Sequence, residues 1–113
     1  MADCLFCKIA AGEIPSVKVH EDDRVVAFKD IAPMAPVHLI VIPREHIASV
    51  AELTADNSGV VSEIFEVIAK LAKEHDLGNG FRVVSNVGEN GGQTVGHLHF
   101  HLIGGKKLSL SMV

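Results

Sequence analysis

His97-Leu98-His99-Phe100-His101-Leu102, followed by Ile103, sets three imidazoles in strict alternation with apolar side chains. Successive side chains of a β-strand point to opposite faces, so the spacing predicts Leu98, Phe100 and Leu102 packed inward and the three histidines together on the other face. Charged residues or threonine usually serve a face that meets only water. Histidine exchanges protons, attacks electrophiles or binds metal near neutral pH. The stretch therefore points to chemistry at one surface of one strand, placed at Val95 to Ile103.

Just upstream, Gly88-Glu89-Asn90-Gly91-Gly92 is a glycine-rich loop that joins this strand to another, Phe81 to Val87. Glycines let backbone N–H groups converge on an oxyanion, and Thr94 adds a hydroxyl. The loop lacks the Gly-Lys-Ser/Thr ending of a P-loop and leads into a strand rather than a helix. By itself such a loop is more often a plain turn; its position four residues before the histidines makes an anion site a real alternative.

The rest of the chain supplies a sheet and two helices. Asp3 is placed to cap a short helix through about Ala11, ended by Gly12 and Pro15. Val17-Lys18-Val19 and Arg24 to Lys29 read as a hairpin turning at Glu21-Asp22-Asp23. Asp30 to Pro36 is a loop, and Val37 to Ile42 is the most apolar strand, interrupted only by His38 and stopped by Pro43. From about Ala55 to His75, Val61, Ile64, Phe65, Ile68, Leu71 and Ala72 recur at three and four residues, the period of an amphipathic helix. Thr54 or Asp56 can cap its start, Gly78 follows its end, and Glu66 with Lys70 forms an i,i+4 pair. The order α-β-β-β-α-β-β with short connections fits an α+β domain on a five-stranded antiparallel sheet, with one solvated face to expose the histidines. Gly104 to Val113 stands apart: Leu108, Leu110 and Met112 alternate, with nothing to say what they cover.

Composition sets the bounds. The 113 residues suffice for one domain, and 48% apolar content excludes a disordered chain. No apolar run approaches the roughly 18–20 residues of a membrane span. The N-terminus does not read as a signal peptide, so the cytoplasm is the default compartment, where two cysteines are more often thiols or metal ligands than a disulfide. A net charge of −4 argues against broad nucleic-acid binding.

A metal held by all three triad histidines is a strained fit, since the outer two lie about 13 Å apart along a strand. Nucleophilic or acid–base catalysis by neighbouring rings suits the spacing better. Cys4-Leu5-Phe6-Cys7 supplies two of the four ligands of a structural zinc, with His46 and His97 as candidates for the rest. Two buried thiols are an equal reading. His20 and His75 read as surface residues. His38 reads either as a core histidine or as a partner of the triad.

These residues resemble the histidine triad (HIT) superfamily, whose signature alternates histidine and apolar residues as His97 through Ile103 do. The likeness extends through Phe28-Lys29-Asp30-Ile31, Ala35-Pro36-Val37-His38, Val41-Ile42-Pro43, Arg82-Val83-Val84-Ser85-Asn86 and Gly91-Gly92-Gln93-Thr94-Val95. Within the superfamily it is most similar to the histidine triad nucleotide-binding branch. That resemblance implies a single HIT domain over residues 1–113, with 104–113 an atypical tail. It also implies a homodimer with a continuous ten-stranded sheet, and hydrolysis of purine nucleoside phosphoramidates or adenylates. In that scheme His99 is the nucleophile. His97 orients it through its backbone carbonyl, His101 binds and neutralises phosphate oxygens, and His38 stands near the triad. Asn86, Gly92, Thr94 and Val95 surround the phosphate and leaving group, and Asp30 meets the ribose. Leu5, Phe6, Ile9, Phe28 and Ile31 form the base pocket. Cys4, Cys7, His46 and His97 resemble a structural zinc site, with no metal needed for the chemistry. The chain departs from the branch in lacking the tryptophan-proline ending that helps set leaving-group preference. A nucleotide-sensing or protein-interaction module, with incidental turnover, is the alternative; the intact triad favours the enzyme.

Overall fold

The computed structural model describes residues 3–112. The elements follow the expected order: α1 (Leu5–Ala10), β1 (Lys18–Glu21), β2 (Val25–Lys29), β3 (Val37–Pro43), α2 (Gly59–Glu74), β4 (Phe81–Val84) and β5 (Phe100–Gly104). All five strands join one antiparallel sheet in the order β1-β2-β3-β5-β4. β3 is therefore central, and its near-unbroken apolar run is what a strand covered on both sides requires.

Alternation along β3 divides the core. Leu39 and Val41 join Val25, Ala27, Phe100 and Leu102 under α2, which contributes Val60, Ile64, Val67, Ile68, Leu71 and Ala72. Ile40 and Ile42 join Val26 and Phe28 on the opposite face, where α1 lays down Phe6, Ile9 and Ala10. The face expected to be solvated is thus partly roofed by α1. His97 is fully buried, His99 is 4% exposed, and only His101 is half-exposed.

Several element ends differ from expectation, each for a local reason. The side chain that caps α1 is Cys4, whose sulfur accepts the Cys7 N–H, not Asp3. α2 begins at Gly59 rather than Ala55, because Thr54 and Asn57 hydrogen-bond within a preceding turn: the Thr54 N–H donates to Asn57 Oδ1, and the Asp56 N–H to Thr54 Oγ1. Its end is turned by Asp76, in the left-handed region at φ 59°, before Gly78 is reached. Phe65 lies at the margin of the apolar stripe, 46% exposed, with its ring edge-on to Phe100. Lys70 reaches Glu74 and the half-buried His20 instead of Glu66. His75 is also half-buried, its Nδ1 donating to the Leu71 carbonyl.

The largest difference concerns the histidine strand. β5 starts at Phe100, not Val95, and β4 stops at Val84, not Val87. His97 to His99 lie just outside the ladder and are fixed by other bonds, among them Leu98 N–H to the Ile47 carbonyl at 2.6 Å. In the tail, the Arg82 guanidinium donates to the Ser109 carbonyl, while Leu110 and Met112 are almost fully exposed. No helix among the described residues is long and apolar enough to cross a membrane.

Candidate active site

The protonation pattern of the triad follows from its hydrogen bonds. A carbonyl only accepts, so His99 Nδ1, 2.7 Å from the His97 carbonyl, carries the proton. In the neutral ring Nε2 then holds a lone pair. His97 Nε2 lies 2.8 Å from the Pro43 carbonyl, so it too is protonated and its Nδ1 is the acceptor. At the other end of the row, the Met34 N–H donates to His38 Nδ1 at 3.1 Å. Neutral His38 therefore carries its proton on Nε2, 2.8 Å from His101 Nδ1 and 3.3 Å from Asp30 Oδ2. Donation to His101 Nδ1 leaves His101 with an Nε2–H. One row thus presents a lone pair from His99 beside an N–H from His101.

Burial, reinforced by the neighbouring His99 and His38 rings, lowers the His101 pKa from 6.5 to about 4, against the opposing pull of Asp30. In this state His101 favours the neutral ring and offers its Nε2–H as a hydrogen-bond donor. Burial likewise lowers His97, opposed by its bond to Pro43. His38, 5% exposed, is both buried and a direct partner of His101.

His101 and His38 open onto a cavity of about 820 Å³, also lined by Asn86, Thr94, Met34 and Leu110. Asp30 lies behind His38, with Oδ2 3.3 Å from His38 Nε2 and Oδ1 accepting the Ala32 N–H. On the α1 side Phe6 touches both Phe28 and His99 edge-on, with ring centres 5.5 and 5.0 Å away. Ile9 belongs to the same cluster and Val95 packs against it. Leu5 is 43% exposed, and Ile31, at 99%, stands apart from these residues.

The glycine loop departs from the sequence reading. The N–H groups of Gly91 and Gln93 both donate to the Gly88 carbonyl, and that of Gly92 to Glu89, so they close the loop on itself. Gly91 is required: a Cβ there would fall 2.2 Å from the Val87 carbonyl oxygen. Sequence reasoning missed Gln93. Its Oε1 accepts the Gly88 N–H while its Nε2 donates to the Ala48 and Val95 carbonyls, pinning the loop and the Thr94–Val95 segment to the chain after β3. A long amide side chain directly after two glycines was the available signal.

Behind the triad, Cys4, Cys7, His46 and His97 converge, with their four ligand atoms within 4.8 Å of one another. His97 Nδ1 lies 3.3 Å from Cys4 Sγ and 3.5 Å from Cys7 Sγ, and His46 Nδ1 is 3.3 Å from Cys7 Sγ. A tetrahedral zinc with ordinary Zn–S and Zn–N bonds spaces neighbouring S and N ligands about 3.5 Å apart, so the set fits that ion. The Pro43 bond also leaves His97 Nδ1 as the lone pair such a site needs. Without a cation, burial and the adjacent Cys4 sulfur push the Cys7 thiol up to about 11.

A family model described as "Scavenger mRNA decapping enzyme C-term binding" matches residues 3–112. The chain belongs to this family and is a histidine triad (HIT) protein. A solved histidine triad protein from Clostridium difficile is 51% identical, covering 98% of this chain and 97% of its own, with a TM-score of 0.95. A HIT family hydrolase from Clostridium thermocellum superposes with a TM-score of 0.97 at 42% identity, over 100% and 99% of the two chains. Among sequence relatives, the purine nucleoside phosphoramidase of Escherichia coli is 39% identical over 107 residues, 94% of this chain and 90% of the relative.

The depressed His101 pKa has a consequence for stability. Between pH about 6.5 and about 4 the unfolded chain takes up a proton at this ring that the folded chain does not. Stability from this group is therefore complete above the ordinary histidine value and falls on acidification through that window. Urea midpoints measured from pH 7.5 to 4 should decline, and the decline should be shallower in His101→Gln. Identical slopes for the two proteins would contradict the burial argument.

Proposed function

We propose that this protein hydrolyses purine nucleoside phosphoramidates and related adenylates through a nucleotidyl-histidine intermediate. It is an enzyme of the HIT hydrolase type. The observation that carries this reading is the tautomer of His99: Nδ1–H committed to a buried carbonyl, and a lone pair left on Nε2 beside a donor N–H from His101.

His99 Nε2 attacks the α-phosphorus. The new N–P bond forms as the phosphoramidate N–P bond breaks, and the amine leaves with a proton taken up from solvent. The positive charge that develops on the His99 ring is shared through Nδ1–H with the His97 carbonyl. His101 Nε2–H donates to a phosphate oxygen, Thr94 and Asn86 line the same cavity, and Val95 follows Thr94 toward the α1 cluster. Water then cleaves the histidine–phosphorus bond, returning neutral His99 and releasing the nucleoside monophosphate. Phe6, Ile9 and Phe28 hold the base, with Leu5 at the rim. Asp30 accepts from the ribose, a role that competes with its contact to His38. No step uses the metal cluster.

His99→Ala should lower phosphoramidate turnover by several orders of magnitude while AMP binding, measured by calorimetry, persists. Turnover within tenfold of the unaltered protein would sink the assignment and favour a binding module.

Zinc held by Cys4, Cys7, His46 and His97 fills all four positions of a tetrahedron, which leaves none for water and makes its role structural. Cys4→Ser should bind less zinc by elemental analysis and melt at lower temperature, with a milder loss of rate than His99→Ala. Unchanged melting together with zinc-free unaltered protein would return the cysteines to plain thiols. Two free cysteines also suit a reducing cytoplasm.

A homodimer with a continuous ten-stranded sheet is part of the same reading. β4 is an edge strand and Phe81 is 44% exposed on it, so a second copy would extend the sheet there. Sedimentation at micromolar concentration should give twice the chain mass; a monomer alone would overturn this.

A further inference from the structure

The ladder that holds β5 ends before it reaches the nucleophile. The last paired positions are Val41 with Phe100 on one side and Val84 with His101 on the other. His99 therefore sits one residue beyond regular pairing, although it is 4% exposed and its ring must be placed to a fraction of an ångström. Ser85, the first residue after β4, fills this gap: its Oγ–H donates to the His99 backbone carbonyl at 2.8 Å. Apart from the bond of the His99 ring to the His97 carbonyl, the other bonds to this stretch act on its neighbours, with the Leu98 N–H on Ile47 and the His97 ring on Pro43.

We infer that Ser85 is a positioning residue for the reaction, a hydroxyl that replaces strand pairing where β4 leaves the sheet and so fixes where His99 Nε2 points. Ser85 precedes Asn86, which lines the cavity beside His101. The same bond therefore locks the distance between the two sides of the phosphate site. It acts on the backbone of His99 and touches neither the base pocket nor the metal cluster, so its loss should fall on kcat rather than on nucleotide affinity.

This inference rests on His99 being the nucleophile. Its test compares Ser85→Thr with Ser85→Val, which have the same shape and differ only in the hydroxyl. Threonine should keep kcat within about threefold, whereas valine should lower it about tenfold with KM and AMP affinity unchanged. A structural readout is independent of turnover. The ¹⁵N-correlated signal of His99 Nδ1–H should stay sharp in Ser85→Thr and broaden or shift in Ser85→Val. Equal kcat for the two variants, or a loss in Ser85→Val matched in KM, would overturn the inference. Should the unaltered protein fail to turn over phosphoramidates, the catalytic reading fails, and the Nδ1–H signal alone decides whether Ser85 orients His99.

Discussion

The 2.7 Å hydrogen bond from His99 Nδ1 to the carbonyl of His97 is the contact on which the rest of the site depends. It fixes the tautomer, and the tautomer decides which nitrogen can attack. A ring rotated to place Nδ1 outward would leave a buried carbonyl unpartnered, at a cost of about 1–3 kcal/mol. The two residues are also partners of opposite surroundings: the His97 ring faces the cysteines, while its carbonyl faces the nucleophile.

That double role explains why the strand is irregular at this point. Regular pairing through residue 97 would satisfy the backbone with its neighbours in the sheet. Instead β5 begins at Phe100, and the segment before it is held by groups from four other places: Ile47, Pro43, Ser85 and the Cys4–Cys7 turn. A second chain of bonds, from the Met34 N–H through His38 to His101, sets the other end of the row by the same logic. A backbone carbonyl thus places the proton of His99, and a backbone N–H places that of His38, which in turn sets His101.

Much of this was legible in the residues. The element order and the long helix followed from periodicity, and the alternation at 97–103 marked the face that carries the chemistry. The four metal-type ligands were each visible in the sequence, and the structure brings them together. What periodicity does not encode is burial and sequence-distant closure. α1 roofs part of the second face, with Phe6 edge-on to His97 and His99, which buries two of a row of histidines expected to stand open. The early end of the ladder depends on where Ile47 and Pro43 stand, Pro43 lying 54 residues from His97 in the chain. The glycine loop illustrates the same limit, since its N–H groups were free to converge on an anion until Gly88 and Glu89 took them.

The central claim is that His99 Nε2 carries the nucleotide during turnover. An acid-labile but base-stable intermediate is the ordinary behaviour of a phosphorus–imidazole bond, so the direct measurement is an alkaline quench. Protein mixed with an adenosine phosphoramidate, quenched within milliseconds and digested, should yield one peptide heavier by an adenylyl group, with fragmentation placing the mass on His99. An adduct on His101 or His97, or multiple turnovers with no adduct on any histidine, would contradict the account.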